Sequence, residues 1–488
     1  MRIATTVLAL LVLTGPIAWA ADDESDVTLT VYSGDFAVVK DERRVDIPEA
    51  QSTVKLTGVA ATIDPTTVQF QSLTDPAGTH IVEQSYDFDT VGSAKLLEKY
   101  IDRDIVVVDG AGQRHEGRLL ADDKKEDYGD GADHDLILKT ADGIAILRRD
   151  DLRSIRMANL PEGLLTQPTL VWKLATKKPG QHRARISYQA SSISWRADYN
   201  VVVNQDDTTA DVSGWATLSN HCGTTFKNAR LKLMGGDVRW TPPQSQLGYS
   251  ANLFSGSGGA EEFLPKAKTF FEYHLYTFPE RTTLASNQVK QLHLLNAEGV
   301  GVKKVYRYRG YTRDYSGSPY LDMKDDDESS NKNVEVVLEM PNTKGNQLGQ
   351  AMPAGQVRVL KRDEADGSLE FIGDDSIGHT KEGDTLKLVV GDAFDLNGIR
   401  KVMNYDGLRA ERWYRETVEI TLTSAKTEPV KVNVVEKMSR GENWKISESS
   451  DEHVKDDAHT MHFTVEVPAK KGDEQGKRVI TYTVQYSW

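Results

Sequence analysis

A single cysteine, Cys222, occurs in 488 residues, so no internal disulfide can form and ordinary hydrophobic cores must hold the fold. Long apolar runs are missing too: after residue 20 no window approaches the ~18 apolar residues of a membrane-spanning helix. Basic charge is in deficit. Lys and Arg number 59 against 73 Asp and Glu, for a formal net charge of −14. That balance disfavours nucleic acid as a partner, because neutralising phosphates needs clustered Lys and Arg. Heptads and repeats of roughly 20–50 residues are absent. So are the G-x-S-x-G nucleophile elbow, the H-E-x-x-H zinc pair and the EF-hand calcium loop.

What is present begins at the first residue. Residues 1–20 run from Arg2 through an apolar stretch at 7–13 to Ala18-Trp19-Ala20. A short positive end, a short apolar centre and an Ala-x-Ala site predict a secretory signal peptide cleaved after Ala20. The mature chain is therefore expected to be exported, periplasmic or extracellular, with envelope association as an option and no transmembrane segment. At 39% hydrophobic and 27% charged residues it can bury normal cores.

Period-2 alternation dominates the rest of the chain, for example at 27–31, 334–338, 357–360, 386–390, 417–422, 430–435, 462–467 and 478–488. Short alternating runs between Gly, Asp, Asn and Pro turns predict β-sandwiches. One segment stands apart: a short helix near 93–101, then about five strands to residue 157, which predicts a small SH3-like or Sm-like barrel. The expected fold class is all-β and multi-domain, immunoglobulin-like sandwiches with this barrel inserted. Expected boundaries are N-terminal sandwich strands at 21–92, the barrel at 93–158 and sandwich strands continuing the first set at 159–240. A flexible Pro/Gly/Ser linker comes next at 241–262, then a β-rich middle domain at 263–404 and a C-terminal immunoglobulin-like sandwich at 405–488.

Several blocks carry a family resemblance. They are Ile186-Ser187-Tyr188-Gln189, Ser194-Trp195-Arg196-Ala197-Asp198-Tyr199, residues 215–220, and Asn228-Ala229-Arg230-Leu231-Lys232-Leu233. Tyr276 with Thr282-Thr283-Leu284, Met352-Pro353-Ala354-Gly355-Gln356-Val357-Arg358-Val359, Gly391-Asp392-Ala393-Phe394-Asp395 and Tyr482-Thr483-Val484 complete the set. In that order, over about residues 185–488, they resemble the bacterial domain of unknown function 4139, found in mucoidy-inhibitor-A-like proteins. The resemblance implies a β-rich exported protein and supplies no catalytic residues. Mucoidy-inhibitor proteins carry a long coiled coil before this domain, whereas this chain has the barrel-like segment there.

The densest aromatic group is Tyr188, Trp195 and Tyr199. Aromatic faces stack on sugars, which makes these three the candidate interaction residues, while the competing reading is core. Adjacent His221 and Cys222 would point to opposite faces of a strand, so they do not predict a catalytic pair. His459 and His462 fall at a strand entry, where that spacing does not converge on a metal. The acidic loops at 122–135 and 322–333 offer oxygen ligands for weak Ca²⁺ binding at most; no other cofactor and no metal site is expected. The turn at 472–478 reads as a hairpin, and the final alternating strand as the closing strand of a soluble sandwich. The functional expectation is a non-enzymatic protein of the cell envelope or secreted fraction that contacts proteins or surface polysaccharide. The rivals are an envelope glycan or peptide hydrolase with carboxylates assembled by the fold, and a structural assembly subunit.

Overall fold

From Trp413 to Ser424 every second side chain is buried, and the same alternation recurs along most of the chain. A computed structural model describes residues 17–19, 25–87, 93–124, 134–159, 168–236, 238–240, 266–270, 273–310, 331–408, 412–438 and 443–487. Strands make up 69% of it, with one α-helix, α1 (Ser93–Lys99), among the described residues. Among the described residues no helix is long and apolar enough to cross a membrane. The expected linker at 241–262 lies outside the described residues, as do most of both acidic loops and all but Ile17–Trp19 of the expected signal peptide.

Three sheets, joined by Leu338, Met340, Leu386 and Leu388 from a further sheet described below, share the largest core. A seven-stranded sheet runs β17 (Lys266–Phe270), β18 (Tyr273–Leu284), β16 (Phe226–Gly235), β2 (Asp26–Tyr32), β3 (Phe36–Ile47), β13 (Gly180–Ser191), β5 (Ile63–Ser72). A five-stranded sheet runs β19 (Gln288–Gly301), β15 (Thr209–Asn220), β14 (Ile193–Val203), β22 (Gly355–Arg362), β23 (Leu369–Ile377). A four-stranded sheet runs β1 (Ile17–Trp19), β4 (Gln51–Thr57), β12 (Thr169–Ala175), β6 (His80–Asp87). Leu29, Ile47, Leu56, Trp172, Ile186, Tyr199 and Leu388 are all completely enclosed in the common core. β1 lies inside the segment expected to be a cleaved leader and pairs in parallel with the outer edge of β4.

A fourth sheet is local. β10 (Gly143–Arg148), β9 (His134–Thr140), β8 (Arg114–Lys124), β7 (Asp104–Asp109) and β11 (Leu152–Arg156) pair in that order. Helix α1 packs on them, and Leu97, Tyr100, Ile105, Val107, Leu119, Leu136 and Leu138 form a separate core. The segment leaves after β6 and returns at β12, and these two strands are hydrogen-bonded neighbours, with Asp87 opposite Thr169. It is an insertion in the physical sense: both of its ends attach to one pair of adjacent strands.

The C-terminal part is one nine-stranded sheet: β27 (Trp444–Ser449), β30 (Gly476–Ser487), β25 (Trp413–Ser424), β24 (Thr385–Leu408), β21 (Asn333–Pro341), β20 (Lys303–Tyr308), β26 (Val430–Lys437), β29 (Thr460–Val467), β28 (His453–Lys455). β29 packs against β30 and β25, which are far from it in the strand order, so the sheet folds over on itself. Val418, Ile420, Val434, Phe463, Ile480 and Val484 fill the space between its halves. Ile480, Tyr482, Val484 and Tyr486 of the last strand all face this core.

Two expected boundaries are corrected. The division at 404/405 falls inside β24, which pairs with β21 in its first half and β25 in its second. The middle domain expected at 263–404 is not a unit. Its strands are shared among three sheets: β17 and β18 join the seven-stranded sheet, β19, β22 and β23 the five-stranded one, and β20 and β21 the nine-stranded one. The cause is pairing between distant strands, including the parallel pairs β14 with β22 and β20 with β26, which alternation along one strand does not encode. The turn at 472–478 also differs from the hairpin expected. It carries a Lys471–Glu474 bridge but joins β29 to β30, which lie in opposite halves of the folded sheet.

Candidate functional site

β3 places an unusual pair on its inward face. Val39, Asp41, Arg43, Val45 and Ile47 alternate into the protein, and Asp41 and Arg43 are only 3% and 6% exposed. Burying either charge alone is costly, and the pair offsets this by contact. Arg43 Nε donates to Asp41 Oδ2 at 2.8 Å, its Nη2 donates to the same oxygen, and Nη1 donates to Thr57 O at 3.2 Å. Asp41 Oδ1 has no hydrogen-bond partner among the described residues.

The pair lies on the wall of a cavity of about 530 Å³. Val27, Val39 and Tyr188 from neighbouring strands of the seven-stranded sheet form its apolar side. Gly58, Val59 and Pro168 come from the ends of the four-stranded sheet. Apart from Gly223 and Phe226, the remaining wall is polar: Thr224, Thr225, Lys227 and Asn228 at the start of β16, Ser286 in the β18–β19 turn, and Ser25.

Asn220 fixes this rim. It is fully buried, and its Nδ2 lies 2.9 Å from Thr224 O and 3.0 Å from Ala285 O, linking the two connections that border the cavity. Its Oδ1 accepts from Cys222 N at 3.2 Å. Thr224 Oγ1 donates to Gly58 O at 3.1 Å, and Ala61 N donates to Cys222 O at 2.7 Å, tying the loop to the end of β4. Gly223 has φ +82°, and a Cβ there would come within 2.6 Å of the Ala61 Cβ, so the close approach requires glycine.

The electrostatics follow from burial. Desolvation, with the Asp41 charge second, holds the Tyr188 phenol well above its ordinary range. Burial pushes the Cys222 thiol up to about 11. Cys222 is fully enclosed, whereas His221 is exposed with Nδ1 3.3 Å from Asn287 Oδ1, so the two side chains do not meet.

Of the three aromatic candidates, only Tyr188 reaches the cavity, and it is 4% exposed. Trp195 and Tyr199 are corrected to core residues. On β14 both alternate inward; Trp195 Nε1 donates to Met234 O at 3.0 Å and Tyr199 OH to Pro353 O at 2.8 Å. Burial leaves no aromatic face open for stacking on a sugar at these positions. His462 Nδ1 lies 2.9 Å from the Asp456 carboxylate, while His459 precedes the strand. Among the described residues no group of three potential metal ligands is brought together. Sequence reasoning passed over Asp41 and Arg43. Their signal was two opposite charges on the apolar side of an alternating strand. Compared with known protein families, the chain matches no family model, and the search of curated proteins returns no match.

Proposed function

We propose that this chain is an exported, non-enzymatic binding protein of the cell envelope or secreted fraction, and that it holds its partner through the cavity beside Asp41. The observation that carries this reading is the open, largely polar cavity whose inner wall holds the buried Asp41–Arg43 pair. A mixed wall of hydroxyl, amide, Lys and Tyr side chains suits orientation of a bound group. Glycoside hydrolysis takes two carboxylates about 5–10 Å apart. The cavity wall carries one, Asp41, already engaged by Arg43. A buried thiol held in its protonated form is a weak nucleophile at neutral pH. The resemblance to the domain of unknown function 4139 belongs to the same proposal, as does export by the leader.

Co-sedimentation of the purified chain with isolated cell envelopes, before and after protease treatment, tests it. Binding to envelopes that is lost in a Ser286→Trp variant, whose indole fills the cavity mouth, is the expected result. Turnover of an envelope substrate that depends on cavity residues would overturn the reading, and so would absence of binding to both envelopes and secreted material.

A further inference from the structure

We infer that the outer edge of β10, in the inserted sheet, is a dimerisation surface on which a second copy of this chain adds its own β10, antiparallel and centred on Ala145. The surface is separate from the cavity beside Asp41. β10 pairs with β9 alone among the described residues. The two-residue turn Ala141-Asp142 closes on the Thr140–Gly143 pair, so hydrogen-bonded pairs recur at Ala145–Leu138 and Leu147–Leu136. The backbone N–H and C=O groups of Ile144 and Ile146 therefore point away from β9, toward the side with no paired strand among the described residues.

Sheet edges that stay in solvent are guarded by charges, proline or bulges. The opposite edge of this same sheet is guarded. β11 carries exposed Arg153 and Arg156, and its register against β7 shifts between Leu152 and Ser154. β10 has none of these devices: from Gly143 to Leu147 it holds no charge and no proline, and its register against β9 is unbroken. Ile144 and Ile146 are 68% and 65% exposed. They take the face opposite Leu147, which packs on the insert's own core. Ile137 of β9 stands beside Ile146 and widens the apolar strip.

The spacing of charges along β10 selects both the occupant and the register. When β10 meets a copy of itself about a two-fold axis, outward-facing residues meet each other only if the axis passes through a residue and not between two. Centred on Ala145, Ile144 of each copy faces Ile146 of the other, and Asp142 of each faces Arg148 of the other. Apolar then meets apolar and acid meets base, twice each. Centred on Ile144, the same strand would set Ile146 against Asp142; centred on Ile146, it would set Ile144 against Arg148. Only the Ala145 register is complementary throughout, and it joins the two inserted sheets into one continuous sheet.

Sedimentation equilibrium of the purified full-length chain over a wide concentration series tests the inference. The variants are Ile146→Lys, Asp142→Lys, Arg148→Glu and the double Asp142→Lys/Arg148→Glu, with thermal melts to confirm folding. Asp142 lies in an exposed turn, so its variant keeps the test open even if a change within the strand unfolds the insert. The expected result is a monomer–dimer equilibrium that weakens about tenfold or more in each single variant and recovers in the double one, where Lys again faces Glu. A chain that stays monomeric throughout the series would overturn the inference. A dimer indifferent to Ile146→Lys and Asp142→Lys would place the contact on another edge and overturn it too. Loss in the single charge variants without recovery in a folded double variant would overturn the Ala145 register.

Discussion

Asp41 and Arg43 sit two residues apart on one strand, so the pleat turns both inward, and each compensates the charge of the other. Asp41→Ala leaves a buried guanidinium unpaired and is expected to cost about 3–5 kcal/mol in denaturant unfolding. The double variant Asp41→Leu/Arg43→Met, which removes both charges, is expected to cost less than that single one. A second residue-scale prediction concerns pH. An unfolded thiol loses its proton near its ordinary 9.0, while folded Cys222 keeps it to about 11. The folded state thus binds more protons in that window, so this stabilisation is complete below it and declines as pH rises through it. Tyr86, pushed by burial up to about 12, extends the decline. Unfolding midpoints should fall from about pH 8 to pH 11, and a thiol reagent should label native Cys222 far more slowly than the unfolded chain.

At the scale of elements, β24 has the most to hold. Its Leu386 and Leu388 belong to the large core, and its Leu396 and Val402 to the C-terminal one. β23 approaches it so closely that a Cβ at Gly373, where φ is +157°, would fall 2.0 Å from Val390 O. Gly373→Ala is therefore expected to destabilise by about 1–3 kcal/mol, read as a lowered melting temperature. Phe394 on the same strand is 98% exposed, and Phe394→Ser should change stability by no more than about 0.5 kcal/mol. Alternation in the sequence made strands such as 417–422 and 462–467 legible, because it reports which face each residue takes. It did not reveal that β24 runs through the expected boundary at 404, since continuity between two cores depends on strands far away in the chain. The site was half legible. Tyr188 was noticed as an aromatic, but its cavity needs Gly58, Thr224 and Ser286, which only the packing of different sheets brings near it.

For the whole molecule, the inserted sheet makes the clearest prediction. Its core is its own, and its two ends meet at Asp87 and Thr169 on paired strands. Replacing residues 88–168 with a short Gly-containing hairpin turn should leave the β6–β12 pair intact, since closing so short a loop costs little. The shortened chain should keep a cooperative melt and its tertiary circular dichroism. A loss of both would mean that the large core depends on the insert.

The pairing of Ile17–Trp19 with β4 would give the proposed export a conformational side. The leader proposed to end at Ala20 includes the whole of that strand, so its removal strips a partner from Thr53–Lys55. β4 then keeps β12 on one flank and presents unpaired N–H and C=O groups on the other, which is the kind of edge that recruits further strands. Amide exchange along Gln51–Thr57 should be faster in the mature chain than in the precursor, and self-association through that edge becomes available only after the leader is gone.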